Sequence, residues 1–356
     1  MKPKLRAAIL GLGRMASFIE DEVVDGSFIS HAAAYRAEPR FDLVGGCDVS
    51  AVQREKFGAR WGVSGLYDSP EELLRAERPA VVSVCSPTEL HLAHCMSALA
   101  AGCAAIFCEK PLCSRLDEAE ALIAACRKKN VLLAVNHTRR WMPNVRLVRE
   151  LLDRGSIGAI QSAVVHYGGG IGNVGTHIFD LLRSLLGEAS AVTALREAGE
   201  NGDPDLPAYV EFRDGIGCHL VANETRHFLL IEVELIGTAG RLRLCRNGEF
   251  IERSAPEKSA RYAYAKELPA TPEILRSDDR TPPLRLALRE IARLLDGEVH
   301  GGPACRGEDG LAAMEIACAI GLSAERGCRR VALPLEKRNV KLFSRQRGTA
   351  PATSTH

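Results

Sequence analysis

A glycine-rich turn after the first apolar segment constrains the fold of this chain more than any other feature. The segment Leu5–Leu10 is apolar apart from Arg6, and Gly11-Leu12-Gly13-Arg14-Met15-Ala16 follows it directly. A G-x-G-x-x-A sequence between a strand and a helix is typical of the crossing that holds a dinucleotide pyrophosphate. The pattern predicts a βαβ nucleotide-binding unit with cofactor contacts from Gly11, Leu12, Gly13, Arg14 and Met15.

Short β-like and helical stretches alternate through the first 130 residues, which is the rhythm of a parallel, doubly wound sheet. The predicted strands are 5–10, 41–47, 80–85, 104–108 and 131–135. The predicted helices are Ala51–Trp61, Glu71–Ala76, Glu89–Ala101 and Leu116–Lys129. The Ser69-Pro70 pair before the second helix is a good start signal. We therefore predict a Rossmann-type dinucleotide-binding domain over residues 1–130.

After about residue 150 the β-like runs become longer, and one apolar helix, Thr176–Leu186, interrupts them. The runs are 159–167, 190–197, 208–213, 217–223, 229–236 and 241–245. Long strands with hairpin-like connections, such as the turn signal Asp214-Gly215, favour a mostly antiparallel sheet. We expect an α+β domain over 131–344 and a disordered tail over 345–356. Within that domain, 252–283 should be irregular, and Leu284–Leu295 and Glu308–Arg326 should be helices.

The balance of charge limits the partners of the chain. Its 46 Lys+Arg against 45 Asp+Glu provide no broad basic surface for nucleic acid and no polybasic membrane anchor. No apolar stretch approaches the roughly 18 to 20 residues of a membrane span. The twelve cysteines are scattered without a C-x-x-C pair, so buried thiols are expected rather than metal ligands. We expect a cytoplasmic protein with small-molecule partners and no metal.

Asp48 at the end of the second predicted strand is a candidate for binding the adenosine ribose hydroxyls. It lies farther after Gly13 than the usual distance of about 20 residues. An insertion at Ser17–Ser30 accounts for the excess, and it is rich in acids: Glu20, Asp21, Glu22 and Asp25. An acid at position 48 repels a 2′-phosphate and favours NAD over NADP, unless Arg14 offsets it. The alternative is that Asp48 is an ordinary turn residue.

Two later side chains could handle the proton of an alcohol. Lys110 lies in Cys108-Glu109-Lys110-Pro111-Leu112, and His177 lies at the start of the apolar helix. Oxidising a carbinol requires removal of the hydroxyl proton, which histidine can accept near neutral pH, and a lysine ammonium stabilises the developing alkoxide. We interpret Lys110 and His177 as catalytic. The alternatives are a solvated lysine at a strand end and a histidine bonded to backbone.

Three further segments follow in the order that one shared site would need: Ser86-Pro87-Thr88 with His91, Glu109-Lys110-Pro111, and Asn136-His137-Thr138-Arg139-Arg140-Trp141. Together with the glycine-rich turn, they resemble the glucose-fructose oxidoreductase, inositol dehydrogenase and rhizopine-catabolism family of NAD(P)-dependent oxidoreductases. The resemblance extends from residue 6 to about 335. It implies a Rossmann domain followed by an α+β domain with an open, mostly antiparallel sheet, which binds substrate and forms a homodimer or homotetramer.

The resemblance also implies roles for individual positions. Lys110 would lie between the nicotinamide and the substrate, and His177 would be the general base in oxidation. The implied substrate ligands are Asn173, Asp180, Arg140 and Trp141. The implied cofactor contacts after the turn are Asp48, Ser86, Pro87, Thr88, His91, Glu109 and Lys110. Many members carry an aspartate four residues before the histidine, where this chain has Asn173, which cannot take a proton. Asn173 is alternatively a plain loop residue.

The implied activity is NAD-dependent transfer of a hydride between nicotinamide and a secondary hydroxyl or ketone of a sugar, sugar derivative or cyclitol. Two alternatives stay open. Tightly held NAD could act transiently in elimination, epimerisation or glycoside cleavage. The protein could also be a non-catalytic NAD(P)-sensing regulator, although a sensor has no need of Lys110 and His177.

Overall fold

The computed structural model of the 356-residue chain describes residues 2–24, 30–199 and 202–343. The chain divides into two compact units. The first comprises the described parts of Met1–Trp141, Thr281–Ala312 and Arg338–Val340, and the second those of Met142–Arg280, Ala313–Lys337 and Lys341–His356. Asp25 of the acidic insertion and the predicted tail at 345–356 lie outside the described residues.

A six-stranded parallel sheet forms the centre of the first unit. Its strands are β1 (Leu5–Leu10), β2 (Phe41–Cys47), β3 (Gly65–Tyr67), β4 (Val81–Val84), β5 (Ala105–Cys108) and β6 (Leu132–Val135). Their spatial order is β3-β2-β1-β4-β5-β6. The helices that alternate with them are α1 (His31–Ala37), α2 (Ala51–Trp61), α3 (Pro70–Glu77), α4 (Thr88–Ala100) and α5 (Leu116–Lys128). This topology confirms the predicted doubly wound sheet.

Local sequence explains the ends of these elements. The Ser69 hydroxyl oxygen accepts a hydrogen bond from the Glu72 N–H at the start of α3, and Pro70 occupies the first turn. Gly62 ends α2 with a φ of 68°, which glycine adopts without strain. Every residue of β4 and β5 is buried, as expected for central strands covered on both faces.

The first unit differs from the predicted domain 1–130. β6 pairs with β5, so the sheet continues past the predicted boundary, and the unit takes in the returning segment 281–312. Two elements were missed in the sequence. β3 has three residues, too few to show a period of two, and α1 begins only after the insertion.

A nine-stranded sheet dominates the second unit. The remaining described strands of the chain are β7 (Ile160–Tyr167), β8 (Ala189–Ala194), β9 (Ala208–Phe212), β10 (Gly217–Ala222), β11 (Glu232–Gly237), β12 (Gly240–Cys245), β13 (Phe250–Ser254), β14 (Glu257–Lys258), β15 (Lys266–Glu267), β16 (Glu273–Leu275) and β17 (Val331–Ala332). The sheet order is β16-β13-β12-β11-β7-β10-β9-β8-β17, and β14 pairs only with β15. The remaining described helices are α6 (Pro143–Asp153), α7 (Thr176–Leu186), α8 (Pro283–Leu295) and α9 (Gly307–Glu325).

The second sheet is mostly antiparallel, as predicted; β7 and β10 run parallel. Asp214 and Gly215 lie in the turn between β9 and β10, with a φ of 80° at Gly215. The prediction that 252–283 is irregular was wrong in part, because β13 to β16 fall largely within it. β14, β15 and β16 have at most three residues each, so they carry little periodic signal.

Burial separates the two faces of this sheet. Alternate residues such as Ala163, Val165, Leu220, Val233 and Leu235 are buried on one face. Their neighbours along the same strands are partly or fully exposed on the other. Among the described residues, no helix combines the length and the apolar character that crossing a membrane requires. The twelve cysteines carry thiols, and all except Cys85 and Cys328 are buried.

Candidate functional site

The glycine-rich turn has the geometry of a backbone cradle. Gly11 has a φ of 86°, and a Cβ there would lie 2.5 Å from the Cα of Ser86. The turn can therefore approach the end of β4 only because residue 11 is glycine. A Cβ on Gly13 would have no atom within 4 Å. This open space above the turn fits a pyrophosphate, which backbone N–H groups can bind.

Asp48 holds the turn in place. One carboxylate oxygen accepts a hydrogen bond from the Leu12 N–H at 2.8 Å, and the other accepts one from the Ser50 N–H at 2.9 Å. Each carboxylate oxygen has a second lone pair, so these bonds leave acceptors for ribose hydroxyls. The structure thus places Asp48 beside the turn, in agreement with its expected position.

The acidic insertion interrupts the helix that should follow the turn. The His31 N–H bonds the Met15 carbonyl at 3.1 Å, and the Ala32 N–H bonds the Ala16 carbonyl at 3.0 Å. α1 therefore continues the helical turn that begins near Arg14, and the described residues 17–24, which include the 3-10 helix Phe18–Glu22, diverge from it after Ala16. This arrangement explains the long spacing from the turn to Asp48.

Arg14 pairs with an acid of the insertion. Its Nε and Nη2 atoms donate to the two carboxylate oxygens of Glu22, both at 2.7 Å. The hydrogen bonds from Arg14 lower the pKa of Glu22, and both side chains are about half exposed. Because Glu22 already balances its charge, Arg14 is less suited to offset the repulsion of Asp48 for a 2′-phosphate.

The segment after β4, which was expected to bind the cofactor, leads from that strand into α4. Pro87 precedes α4 and Thr88 begins it, at the carboxyl end of a central strand. His91, which was expected to bind the cofactor, is 1% exposed. Its Nε2 lies 2.8 Å from the Ser86 carbonyl oxygen and its Nδ1 lies 2.9 Å from that of Pro111. The expectation for His91 was wrong, since its ring joins two strand ends inside the unit.

Glu109 and Lys110 lie where β5 ends. Glu109 is 6% exposed, and one of its oxygens contacts His31 Nε2 at 2.9 Å and accepts from Asn136 Nδ2 at 2.6 Å. The other oxygen accepts from the Lys110 N–H at 3.3 Å. Burial raises the pKa of Glu109, but the bonds from His31 and Asn136 and the charge of Lys110 outweigh it, so the pKa lies below its ordinary value. Glu109 is an internal anchor, which corrects its expected role as a cofactor contact; Lys110 beside it is half-buried.

Trp141 and Arg140 are not placed as substrate ligands. Trp141 is fully buried, and its indole N–H donates to Glu290 at 2.6 Å. The Arg140 guanidinium pairs with Asp309 at 3.1 Å and donates to the Ala304 carbonyl at 3.4 Å. Both side chains stabilise contacts inside the first unit, so the prediction of substrate binding was wrong for Trp141 and is not supported for Arg140.

In the second unit, His177 lies in the first turn of α7 and is half-buried. A π-helical turn, Gly170–Gly175, leads into it. Asn173 in that turn is half-buried, and its side-chain amide donates to the Gly169 carbonyl at 3.4 Å. Asp180, one turn after His177, is completely buried. It follows that His177 and Asn173 have surface to offer a ligand, whereas Asp180 is enclosed.

Two residues in these surroundings were missed in the sequence. His31 bonds Glu109, and Asp203 accepts backbone hydrogen bonds from Gly172 at 2.7 Å and Asn173 at 2.8 Å. Asp203 thus supplies a carboxylate next to position 173, where the chain itself has an amide. His31 and Asp203 both lie far in the sequence from the residues they bond. Neither belongs to a sequence motif that would predict the contact.

Comparison with known proteins relates the first part of the chain to an oxidoreductase family. Residues 5–137 match the model of an oxidoreductase family with an NAD-binding Rossmann fold. D-glucoside 3-dehydrogenase of Escherichia coli (strain K12) is 33% identical over 156 residues, which are 44% of this chain and only 41% of that protein. 1,5-anhydro-D-fructose reductase of Ensifer adhaerens is 27% identical over 80% of this chain and 90% of that protein.

A solved structure shows the same fold over nearly the whole chain. The WlbA dehydrogenase from Bordetella pertussis, in complex with NADH and UDP-GlcNAcA, is 19% identical with a TM-score of 0.76, and the match covers 94% of this chain and 99% of that one. Residues 5–137 therefore match the NAD-binding Rossmann fold of this oxidoreductase family, and the chain as a whole shares the fold of the WlbA dehydrogenase.

Proposed function

We propose that the protein is an NAD-dependent dehydrogenase that moves a hydride between nicotinamide and a secondary hydroxyl or ketone of a sugar, sugar derivative or cyclitol. The observation that carries the proposal is the place of Lys110. It follows a buried, ionised Glu109 at the carboxyl end of β5, in the sheet whose first strand leads into the glycine-rich turn. In doubly wound sheets, ligands bind outside the carboxyl ends of the strands.

NAD is the cofactor that the described residues fit. Gly13 leaves room for a pyrophosphate, and the Asp48 carboxylate beside it suits ribose hydroxyls rather than a 2′-phosphate. The pairing of Arg14 with Glu22 supports the same preference. When bound, NAD would supply the hydride acceptor for oxidation.

Lys110 and His177 are the catalytic residues of this proposal. The Lys110 ammonium would donate a hydrogen bond to the reacting oxygen and stabilise the negative charge that develops on it. His177 would take the hydroxyl proton in oxidation and return it in reduction. Asn173, half-buried and four residues earlier, remains a proposed substrate ligand through its side-chain amide.

The names of the relatives favour a carbohydrate. D-glucoside 3-dehydrogenase and 1,5-anhydro-D-fructose reductase both take sugar derivatives, by their names. Because the alignment with the first spans less than half of that protein, these names suggest a substrate class and no particular sugar.

A screen of sugars, glycosides, cyclitols and nucleotide-sugars for NADH formation tests the proposal. We expect multiple turnovers with free NAD in the wild type and turnover about 100-fold slower or more in Lys110→Ala. Consumption of substrate without steady NADH release would favour transient use of tightly held NAD. Binding of NAD without conversion of any sugar or cyclitol would contradict the dehydrogenase assignment and favour a sensor.

We also propose that the protein is a homodimer or homotetramer formed through the exposed face of the second sheet. Tyr209 and His219 lie ring to ring there at 4.8 Å, beside the exposed Val221. Arg243 on the same face pairs with Glu232 at 2.9 Å and Glu252 at 2.7 Å. Aromatic residues and arginine, which this face presents at Tyr209 and Arg243, are enriched in protein–protein interfaces. Light scattering should give a multiple of the chain mass, and the mass of one chain would contradict the proposal.

A further inference from the structure

A row of buried polar side chains in the first unit ends at the residue before Lys110. The Tyr35 hydroxyl lies 2.8 Å from Ser83 Oγ, Ser83 Oγ lies 3.0 Å from His31 Nδ1, and His31 Nε2 lies 2.9 Å from Glu109. Ser83 and His31 are completely buried, and Tyr35 and Glu109 nearly so. These groups come from α1, β4 and the end of β5. Such a row needs an explanation, because each polar group is far from water.

The direction of the hydrogen bonds follows from the chemistry of the end groups. An ionised carboxylate only accepts, so His31 Nε2 carries a proton and donates it to Glu109. If the ring is neutral, Nδ1 accepts from the Ser83 hydroxyl, whose oxygen accepts from the Tyr35 hydroxyl. Every donor in the row is then used once, in one direction, towards Glu109. Burial raises the pKa of Tyr35, which keeps its hydroxyl protonated as this direction requires.

The row matters because Glu109 is a buried charge. A buried carboxylate is costly unless it is paired and hydrogen-bonded. Among the influences that hold the pKa of Glu109 low, the hydrogen bond from His31 is the largest, followed by the charge of His31, the hydrogen bond from Asn136 and the charge of Lys110. Ser83 cannot act as a nucleophile in this arrangement, since it is completely enclosed.

We propose that His31 is a positioning residue for Lys110: its ring keeps Glu109 charged and oriented, so that Glu109 fixes the Lys110 backbone and holds a negative charge beside the ammonium. This inference rests on the proposed role of Lys110 in dehydrogenation. His31 acts through Glu109 and does not contact the reacting atoms.

The other titratable groups around Glu109 are the same in the wild type and in every variant of the test described below. Arg14, His91, Cys85 and Cys108 each interact with the Glu109 charge, as does Lys110. None of them is altered in the variants below, so differences between variants report the loss of His31. Without the His31 donor, burial dominates, and Glu109 should become protonated at higher pH than in the wild type. Activity that depends on the charge should then be lost on the acidic side first.

The variants are His31→Leu, which removes both ring nitrogens, His31→Gln, whose amide can still donate to Glu109, and Tyr35→Phe as the control at the far end of the row. Infrared titration of the protonated carboxyl band, assigned by its absence in Glu109→Gln, needs no substrate. His31→Leu should shift this titration to higher pH, Tyr35→Phe should leave it unchanged, and His31→Gln should lie near the wild type.

Kinetics on the substrate found by the screen give the second readout. In His31→Leu, kcat should fall about 10-fold for each unit by which the pKa of Glu109 then exceeds the pH, with NAD affinity retained, and it should recover as the pH is raised. His31→Gln should restore most of it. A fall in kcat that is equal at every pH would mean a merely structural role and would overturn the proposal, as would an unshifted Glu109 titration in His31→Leu.

A measurement on the wild type covers the case in which His31→Leu does not fold. Proton–nitrogen NMR correlation of the His31 ring should show a proton on Nε2 at neutral pH, because Nε2 donates to Glu109; an Nε2 without a proton would overturn the proposal. If the screen finds no substrate, the proposed function fails while the infrared and NMR results still decide whether His31 controls Glu109.

Discussion

Replacing Asp48 by asparagine should weaken NAD binding and reduce the discrimination against NADP. In the native chain each carboxylate oxygen accepts one backbone N–H, from Leu12 at 2.8 Å and from Ser50 at 2.9 Å. Asparagine has one carbonyl oxygen, so its NH₂ group must face one of these two donors. One backbone N–H then loses its partner, either in the glycine-rich turn or at the start of α2.

The size of the effect follows from that lost bond. Leaving one partly buried N–H unsatisfied costs about 1–3 kcal/mol, which is about 5- to 150-fold in affinity if the turn must be restored for NAD to bind. NADP should lose less than NAD, because removing the negative charge at position 48 relieves its repulsion of the 2′-phosphate. The ratio of NAD to NADP affinity should therefore fall.

Calorimetric titration of both cofactors against the wild type and Asp48→Asn provides the assay. Asp42→Asn is the matched control, because Asp42 is an exposed aspartate on β2, the strand that Asp48 follows. Unchanged NAD affinity in Asp48→Asn, or an equal loss for NAD and NADP, would refute the role given to Asp48.

Two further predictions concern residues whose roles the structure changes. Trp141→Phe removes the donor to Glu290 and should lower the free energy of unfolding by about 2 kcal/mol; thermal denaturation measures the loss, and an altered KM for substrate would show that Trp141 binds it after all. Asn173→Asp places a second carboxylate near Asp203 and adds a charge that favours the imidazolium form of His177. The acidic limb of the kcat/KM profile should move to higher pH, and an unmoved limb would place residue 173 outside electrostatic reach of His177.

The sequence was most informative where the signal is local. Except for β3, the strands of the first sheet have the predicted bounds to within one or two residues, as do helices such as Ala51–Trp61. These strands are mostly apolar runs, and the helices have capping residues. The glycine-rich turn was recognisable in the sequence because its geometry requires glycine at position 11. Gly11 has a positive φ, and a Cβ there would clash with the backbone of Ser86.

The hydrogen bonds that hold the proposed site residues in place could not be predicted, because they join residues that are far apart in the sequence. His31 bonds a residue 78 positions away and Asp203 bonds one 30 positions away; single residues of this kind have no periodicity or motif. The family pattern also led to three errors. It placed Trp141, His91 and Glu109 among the ligand-binding residues, whereas tertiary packing buries all three completely or nearly so.

The central claim is that Lys110 acts on the reacting hydroxyl rather than on cofactor binding, and one comparison tests it most directly. Turnover of the identified substrate and the dissociation constant of NAD are measured for the wild type and Lys110→Ala, with Lys128→Ala on the exposed part of α5 as the control. We predict that kcat falls about 100-fold or more in Lys110→Ala, with NAD affinity nearly unchanged and Lys128→Ala like the wild type. Near wild-type turnover in Lys110→Ala, or a loss confined to NAD binding, would contradict the claim.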